Sequence, residues 1–203
     1  MLIEVAGIDG SGKTTLIARL RGHLHDKGRS VYVRSWPSTV KRIAADTAHQ
    51  AVGRPWWEFF DPAAVETAAA FEHLSMVHQH LLPLDARRQV VLTDTYTVRW
   101  LATAALHKVD LDPLAALYAR LAPPAVSLWL DVDPGTGRDR VLGRAERDHP
   151  TTTGDPTRIA RYHAAFTGAL EHVPYPVHRL DARAPLDQVA ARAAALIDTG
   201  LER

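Results

Sequence analysis

The chain has 203 residues, with 24 basic and 23 acidic side chains and a formal net charge of +1. That length suits one α/β domain with a sizeable core, and near-neutrality provides no global field for nucleic acid or an anionic membrane surface. The absence of cysteine excludes disulfides, iron–sulfur clusters and cysteine-based zinc sites.

A first strand is expected over Leu2–Ala6, directly before Gly7-Ile8-Asp9-Gly10-Ser11-Gly12-Lys13-Thr14. This segment fits the pattern G-x-x-x-x-G-K-[ST], in which glycines let the backbone curl its N–H groups toward an anionic phosphate. In that pattern Lys13 reaches the β- and γ-phosphates, and the Thr14 hydroxyl ligates Mg²⁺. A helix follows from Lys13 to about Lys27, with Gly28 as its stop signal. Further strands are expected over Ser30–Ser35, Gln89–Thr93, Ala125–Asp131 and Pro176–Leu180. They read as continuous apolar or β-branched runs, as in a parallel sheet covered on both faces. Asp61-Pro62 opens a long helix running toward Leu82, and Asp112-Pro113 gives the same start signal for a short helix ending before Pro123-Pro124. The last helix spans about Leu186 to Ile197. The resulting class is α/β, a five-stranded parallel sheet flanked by helices in three layers, in a single domain covering residues 1–203. A strand opening at Leu2 leaves no room for a signal peptide, and no apolar stretch reaches membrane-spanning length. The expected compartment is therefore the cytoplasm. The histidines His73, His78 and His80 lack metal-ligand spacing and read as a solvated helix face.

Residues 143–157 break the alternation with arginines, threonines, Gly154 and two prolines, a composition suited to a lid over bound phosphates. Phosphoryl transfer requires a clamped γ-phosphate, neutralised charge and an in-line acceptor. Lys13 and Thr14 with Mg²⁺ supply one side of the clamp. Asp94 ends a buried strand at its carboxyl edge and is the candidate for the Mg²⁺ shell or for the acceptor's proton, or else a cap for the next helix. Arg138, Arg140, Arg144, Arg147, Arg158 and Arg161 lie in or near the lid. Arg144 and Arg147, deepest in it, are the choices for steadying the transferred charge.

The pieces Glu4 to Thr15, Trp36-Pro37, Phe71 through Leu82, Val90 to Tyr96, Leu128 to Pro134, Arg161-Tyr162 and Leu180-Asp181-Ala182 stand in the order of the thymidylate kinase family. The chain resembles that family over nearly its whole length. The resemblance implies an ATP- and Mg²⁺-dependent phosphotransferase with a helical acceptor region, a short lid and a homodimeric assembly. Gly7, Asp9, Gly10, Ser11, Gly12, Lys13, Thr14 and Thr15 would hold the nucleotide phosphates, with Asp181 and Ala182 beside adenine. Asp9 would also contact the acceptor's sugar hydroxyl, and Phe71 would stack on its base or else pack in the core. Trp36, Tyr96 and Trp100 would complete the acceptor pocket. Because Ser11 stands in the loop without an arginine, the subclass with catalytic lid arginines is the better match.

Three positions depart from that resemblance. Thr95 replaces the arginine that grips the acceptor's phosphate, Ser75 stands where an arginine meets the thymine carbonyl, and Ser38-Thr39 follow Pro37. Each lost arginine removes a charge-assisted hydrogen bond of about 1.5–3 kcal/mol. Arg99, one helical turn beyond Thr95, could replace the grip, with Lys41 or Arg42 entering from the other side. Trp56, Trp57 and Trp100 either crowd the acceptor region or close the helical part over the core. The acceptor expected is therefore a nucleotide or nucleoside-like molecule. A hydroxyl-bearing non-nucleotide metabolite and a non-catalytic nucleotide-binding module stand as alternatives. A switch GTPase is disfavoured because no N-K-x-D motif occurs.

Overall fold

Five strands, Leu2–Ala6 (β1), Ser30–Ser35 (β2), Gln89–Asp94 (β3), Val126–Asp131 (β4) and His178–Asp181 (β5), pair in parallel in the order β2-β3-β1-β4-β5. The computed structural model describes residues 1–81, 89–143 and 156–201. Central β1 buries Ile3, Val5 and Ala6 completely, whereas edge strands β2 and β5 are largely exposed. The helices are Lys13–Asp26 (α1), Thr39–Val52 (α2), Trp56–Phe59 (α3), Pro62–Leu81 (α4), Val98–Leu106 (α5), Leu111–Tyr118 (α6), Pro134–Leu142 (α7), Pro156–Ala169 (α8) and Leu186–Leu201 (α9). Helices α1 and α9 pack together and against the strands, while α5 packs on α4, α6 and α8. This is the flanked parallel sheet expected from the alternation of strand and helix patterns.

Boundaries moved where local chemistry decided them. Strand β5 begins at His178 rather than Pro176, consistent with proline offering no N–H to a ladder. Helix α6 is capped by Asp110, whose carboxylate accepts from the Asp112 N–H at 3.1 Å, so Asp112-Pro113 lies inside the first turn. Helix α9 continues to Leu201. The C-terminal end of the expected lid is helical, since α8 opens at Pro156. Arg144 and Arg147 lie outside the described residues.

A separate small cluster of Ala44, Ala48, Trp56 and Val65 holds α2, α3 and α4 together. Helix α2 is fixed at its start from two directions. The Ser38 hydroxyl accepts from the Lys41 N–H, while Glu72 of α4 accepts from the Ser38 hydroxyl at 2.6 Å and the Thr39 N–H at 2.9 Å. That double cap fixes the start of the helix that carries Lys41. No helix among the described residues is long and apolar enough to cross a membrane.

Candidate active site

The turn between β1 and α1 is shaped by its glycines. Gly12, the N-cap of α1, has φ 93°, and Gly10 has φ 80°. A Cβ on Gly10 would stand 2.0 Å from the Gly137 carbonyl oxygen, so only glycine lets α7 close against the loop. Lys13 Nζ donates to the Gly7 and Ile8 carbonyls at 3.0 Å each. The Ser11 hydroxyl is buried with no hydrogen-bond partner. Arg140 of α7 bridges the loop to the far side of the sheet: it donates to the Gly10 carbonyl at 3.5 Å and the Ala182 carbonyl at 3.1 Å. Ala182 thus neighbours the loop, whereas Asp181 is exposed and tied to Arg183.

Beside the loop opens a cavity of about 420 Å³ whose lining includes Asp9, Trp36, Lys41, Asp94, Thr95, Arg99, Trp100 and Tyr162. Asp94 ends β3, and its Oδ1 is buried without a partner. It does not cap α5, because Thr97 holds the N-cap position. Two orphaned oxygens, Ser11 Oγ and Asp94 Oδ1, together with the glycine cradle, fit a phosphate chain and its divalent cation. Thr14 and Asp94 are the residues that would hold that cation.

Arg99 lies on the first turn of α5. Burial alone would lower its pKa, but the Tyr162 hydroxyl and the carboxylates of Asp9 and Asp94 outweigh that and raise it. Burial in turn pushes the Tyr162 phenol up to about 12, so it stays a neutral hydrogen-bonding group. Thr95, 3% exposed, lines the same cavity. Arg99 and Thr95 therefore line one cavity. Lys41 also lines the cavity, 4.6 Å from the Trp100 ring centre and 2.7 Å from Glu66. Burial lowers the Lys41 pKa, opposed by the Glu66 carboxylate. Glu66, only 2% exposed, also meets His107 Nδ1 at 3.2 Å, and His107 stacks on Trp57. Arg158 covers the same ring at 4.4 Å. Trp56 and Trp57 both line the cavity, and Trp56 also belongs to the small core cluster.

Several expected positions fall elsewhere. Phe71 is 61% exposed on α4, and Ser75, one turn on, is exposed and accepts from Gln79. The buried positions of α4 include Glu66, Ala70, His73 and Val77, so neither Phe71 nor Ser75 lines the cavity. Tyr96 is wholly buried with its hydroxyl donating to the Ala122 carbonyl at 3.2 Å, a core role rather than an acceptor contact. Arg42 points to solvent beside Asp46. His73 belongs to no solvated face: it is fully buried among Trp36, Tyr96, Trp100 and Tyr118, and burial followed by the Lys41 charge lowers its pKa to about 3. The Glu66 and His107 contributions have no counterpart in the sequence reading, which places Arg158 only near the lid and Tyr162 only within the family resemblance. Their sequence separation leaves no local pattern, though two charged residues at helix positions that pack inward, Glu66 and Lys41, are the signal that was available.

A family model described as Thymidylate kinase matches residues 5–193. A thymidylate kinase of Akkermansia muciniphila is 32% identical over 193 residues, covering 94% of this chain and 88% of the relative. One from Xanthomonas oryzae pv. oryzae is 30% identical over 210 residues, covering 99% and 84%. A probable thymidylate kinase of Halobacterium salinarum is 31% identical over 206 residues, covering 98% and 96%.

Proposed function

The chain belongs to the thymidylate kinase family and is a P-loop kinase, and from that premise we propose that it transfers the γ-phosphate of ATP to thymidylate. The observation that carries the acceptor half of this reading is Arg99, held in the cavity wall by Tyr162 within electrostatic reach of Asp9 and Asp94. A cation there, a helical turn from Thr95, supplies the grip on a monophosphate that Thr95 lacks. The aromatic lining from Trp36, Trp57 and Trp100 suits a planar base. The comparisons lend no support to a non-nucleotide metabolite as acceptor. A kinase family spanning nearly the whole chain also replaces the reading as a non-catalytic module.

The loop amides cradle the donor phosphates, and Lys13 exchanges its carbonyl partners for phosphate oxygens. A bound Mg²⁺ would supply positive charge against the donor phosphates. Thr14 and Asp94 would hold that ion, and Arg140 keeps the loop docked against the β5 end of the sheet. A phosphate acceptor has its second pKa near 6 and is largely dianionic at neutral pH, so its attacking oxygen carries no proton to remove. Asp94 accordingly serves the cation rather than acting as a base. A nucleoside acceptor would need the base. The homodimer implied by the family is part of the same proposal, with exposed Ile43 on α2 and Phe71 on α4 among the side chains it would cover. Gel filtration with light scattering tests it.

The decisive experiment follows ADP release from Mg·ATP with thymidylate, other deoxynucleoside monophosphates, thymidine and no acceptor. Turnover with thymidylate well above thymidine and the blank is expected. Turnover with thymidine alone overturns the acceptor assignment.

A further inference from the structure

Glu4 occupies the middle of β1, three residues before Gly7, and is fully buried between apolar neighbours Ile3 and Val5. Nothing about the sheet requires a carboxylate there: buried ionic groups are often replaceable by apolar ones of similar volume without loss of stability. Yet its four acceptor positions are filled. Oε1 accepts from the Tyr96 N–H at 2.9 Å and the Val98 N–H at 3.1 Å. Oε2 accepts from the Ser127 hydroxyl at 2.8 Å and the Tyr175 hydroxyl at 2.9 Å. The Tyr175 hydroxyl is also hydrogen-bonded to Thr97. Burial raises the carboxyl pKa, opposed by these four bonds, each of which favours the ionised form.

The partners on Oε1 have consequences for the site. Tyr96 follows Asp94-Thr95 directly, and Val98 is the first residue of α5, whose N-cap Thr97 makes no side-chain capping bond of its own. Glu4 therefore does the capping from a different strand, placing an acceptor at the helix N-terminus, where a carboxylate is favoured. Arg99 is the next residue, in the first turn of α5. A single side chain on the strand leading into the phosphate loop thus holds both the turn behind Asp94 and the helix start that carries Arg99.

We propose that Glu4 is a positioning residue for phosphoryl transfer, acting through the 94–98 turn to set Asp94 and Arg99 against the phosphate loop. This rests on the kinase reading of the cavity. It extends that reading to a residue that does not line the cavity at all.

The test compares wild type, Glu4→Gln, Glu4→Ala, Asp94→Asn and the Glu4→Gln/Asp94→Asn double variant, using whichever acceptor the panel above identifies. Glu4→Gln keeps size and one carbonyl acceptor but removes the charge, and is expected to lower kcat about fivefold with the ATP KM within about twofold of wild type. Glu4→Ala removes both acceptors and is expected to lower kcat about thirtyfold, with Gln as the partial rescue. In the Asp94→Asn background the Gln effect should shrink below about twofold, because both changes act through one group. Amide hydrogen exchange at Tyr96 and Val98 should accelerate in both Glu4 variants while the β1 and β4 amides stay protected. Unchanged kcat in Glu4→Gln, or an equal loss in both backgrounds, reduces Glu4 to a fold element. If Glu4→Ala does not fold, the Gln variant and its double carry the same criteria. A wild type inactive toward thymidylate sinks the acceptor reading instead, and the amide exchange then decides whether Glu4 holds the turn.

Discussion

On the phosphate side the site is backbone from one stretch of chain: Gly7 to Thr14, with Gly10 pressed against Gly137 and the Lys13 amine resting on two loop carbonyls. On the acceptor side it is side chains drawn from α2, α3, α5 and α8, none of them adjacent to more than one or two others in sequence. The first construction tolerates no substitution at its glycines but needs no particular neighbour. The second depends on the helices keeping their relative placement, and on the proposed reading Arg99 supplies there the cation that Thr95 lacks. Specificity is therefore the adjustable half of the molecule, and phosphate binding the fixed half.

The contrast breaks most severely at Lys13. Lys13→Ala should lower kcat by about 10²–10³ while the far-ultraviolet circular dichroism and melting temperature stay near wild type, because the amine meets the Gly7 and Ile8 loop carbonyls and the expected phosphate rather than the core. Near-normal turnover would remove it from the clamp. Arg99→Met comes next. Loss of one charge-assisted grip should lower kcat/KM for thymidylate by about 10- to 100-fold and leave the KM for ATP nearly unchanged. A loss confined to ATP would mean that Arg99 belongs to the donor half. Asp94→Asn should lower kcat by about tenfold or more, and the loss should be reduced at elevated Mg²⁺. A loss that instead follows the titration of a base across pH would restore the proton-accepting role.

His73 separates the halves by stability rather than rate. Its folded pKa of about 3 lies below the ordinary value of 6.5, so the unfolded chain binds a proton that the folded one refuses. The stability owed to the neutral imidazole is complete above about pH 6.5 and falls as pH drops toward 3. The loss is about 1.4 kcal/mol per pH unit in that window. Urea unfolding at pH 7, 6 and 5 should show this slope, and His73→Phe should flatten it. An unchanged slope in the variant would place the acid sensitivity elsewhere.

How far the sequence carried the reading follows the same division. Gly7 to Thr14 is contiguous, and each strand is a short apolar or β-branched run, so the sheet and the phosphate loop were legible. Helix α2 buries only Ala44 and Ala48, too faint a stripe to announce itself, and α5 follows β3 after a three-residue turn that hides its start. The acceptor wall was harder, because Lys41, Glu66 and His107 meet across three helices and 66 residues of chain. Arg99 was legible only as the nearest cation to a missing one. Glu4 was invisible as anything but a strand residue, since its four partners lie 92 to 171 residues away.

Phe71 sharpens the comparison with the smallest expected effect. A stacking phenylalanine at this point of α4 is what the family resemblance implies, and the helix register turns Phe71 outward, 61% exposed. The sequence pattern misleads there because the inward positions of α4 include Glu66 and His73, polar residues that disguise the buried face, while an aromatic ring sits outside. If the cavity is lined as described, Phe71→Ala should change kcat/KM for thymidylate by less than about twofold, since the ring is largely exposed and is not part of that lining. Trp100→Ala, which strips a buried ring from the cavity wall beside Lys41, should cost about tenfold or more. The reverse ranking would mean that the acceptor base approaches from the solvent face of α4, and that the cavity between α2, α5 and α8 takes something other than the base.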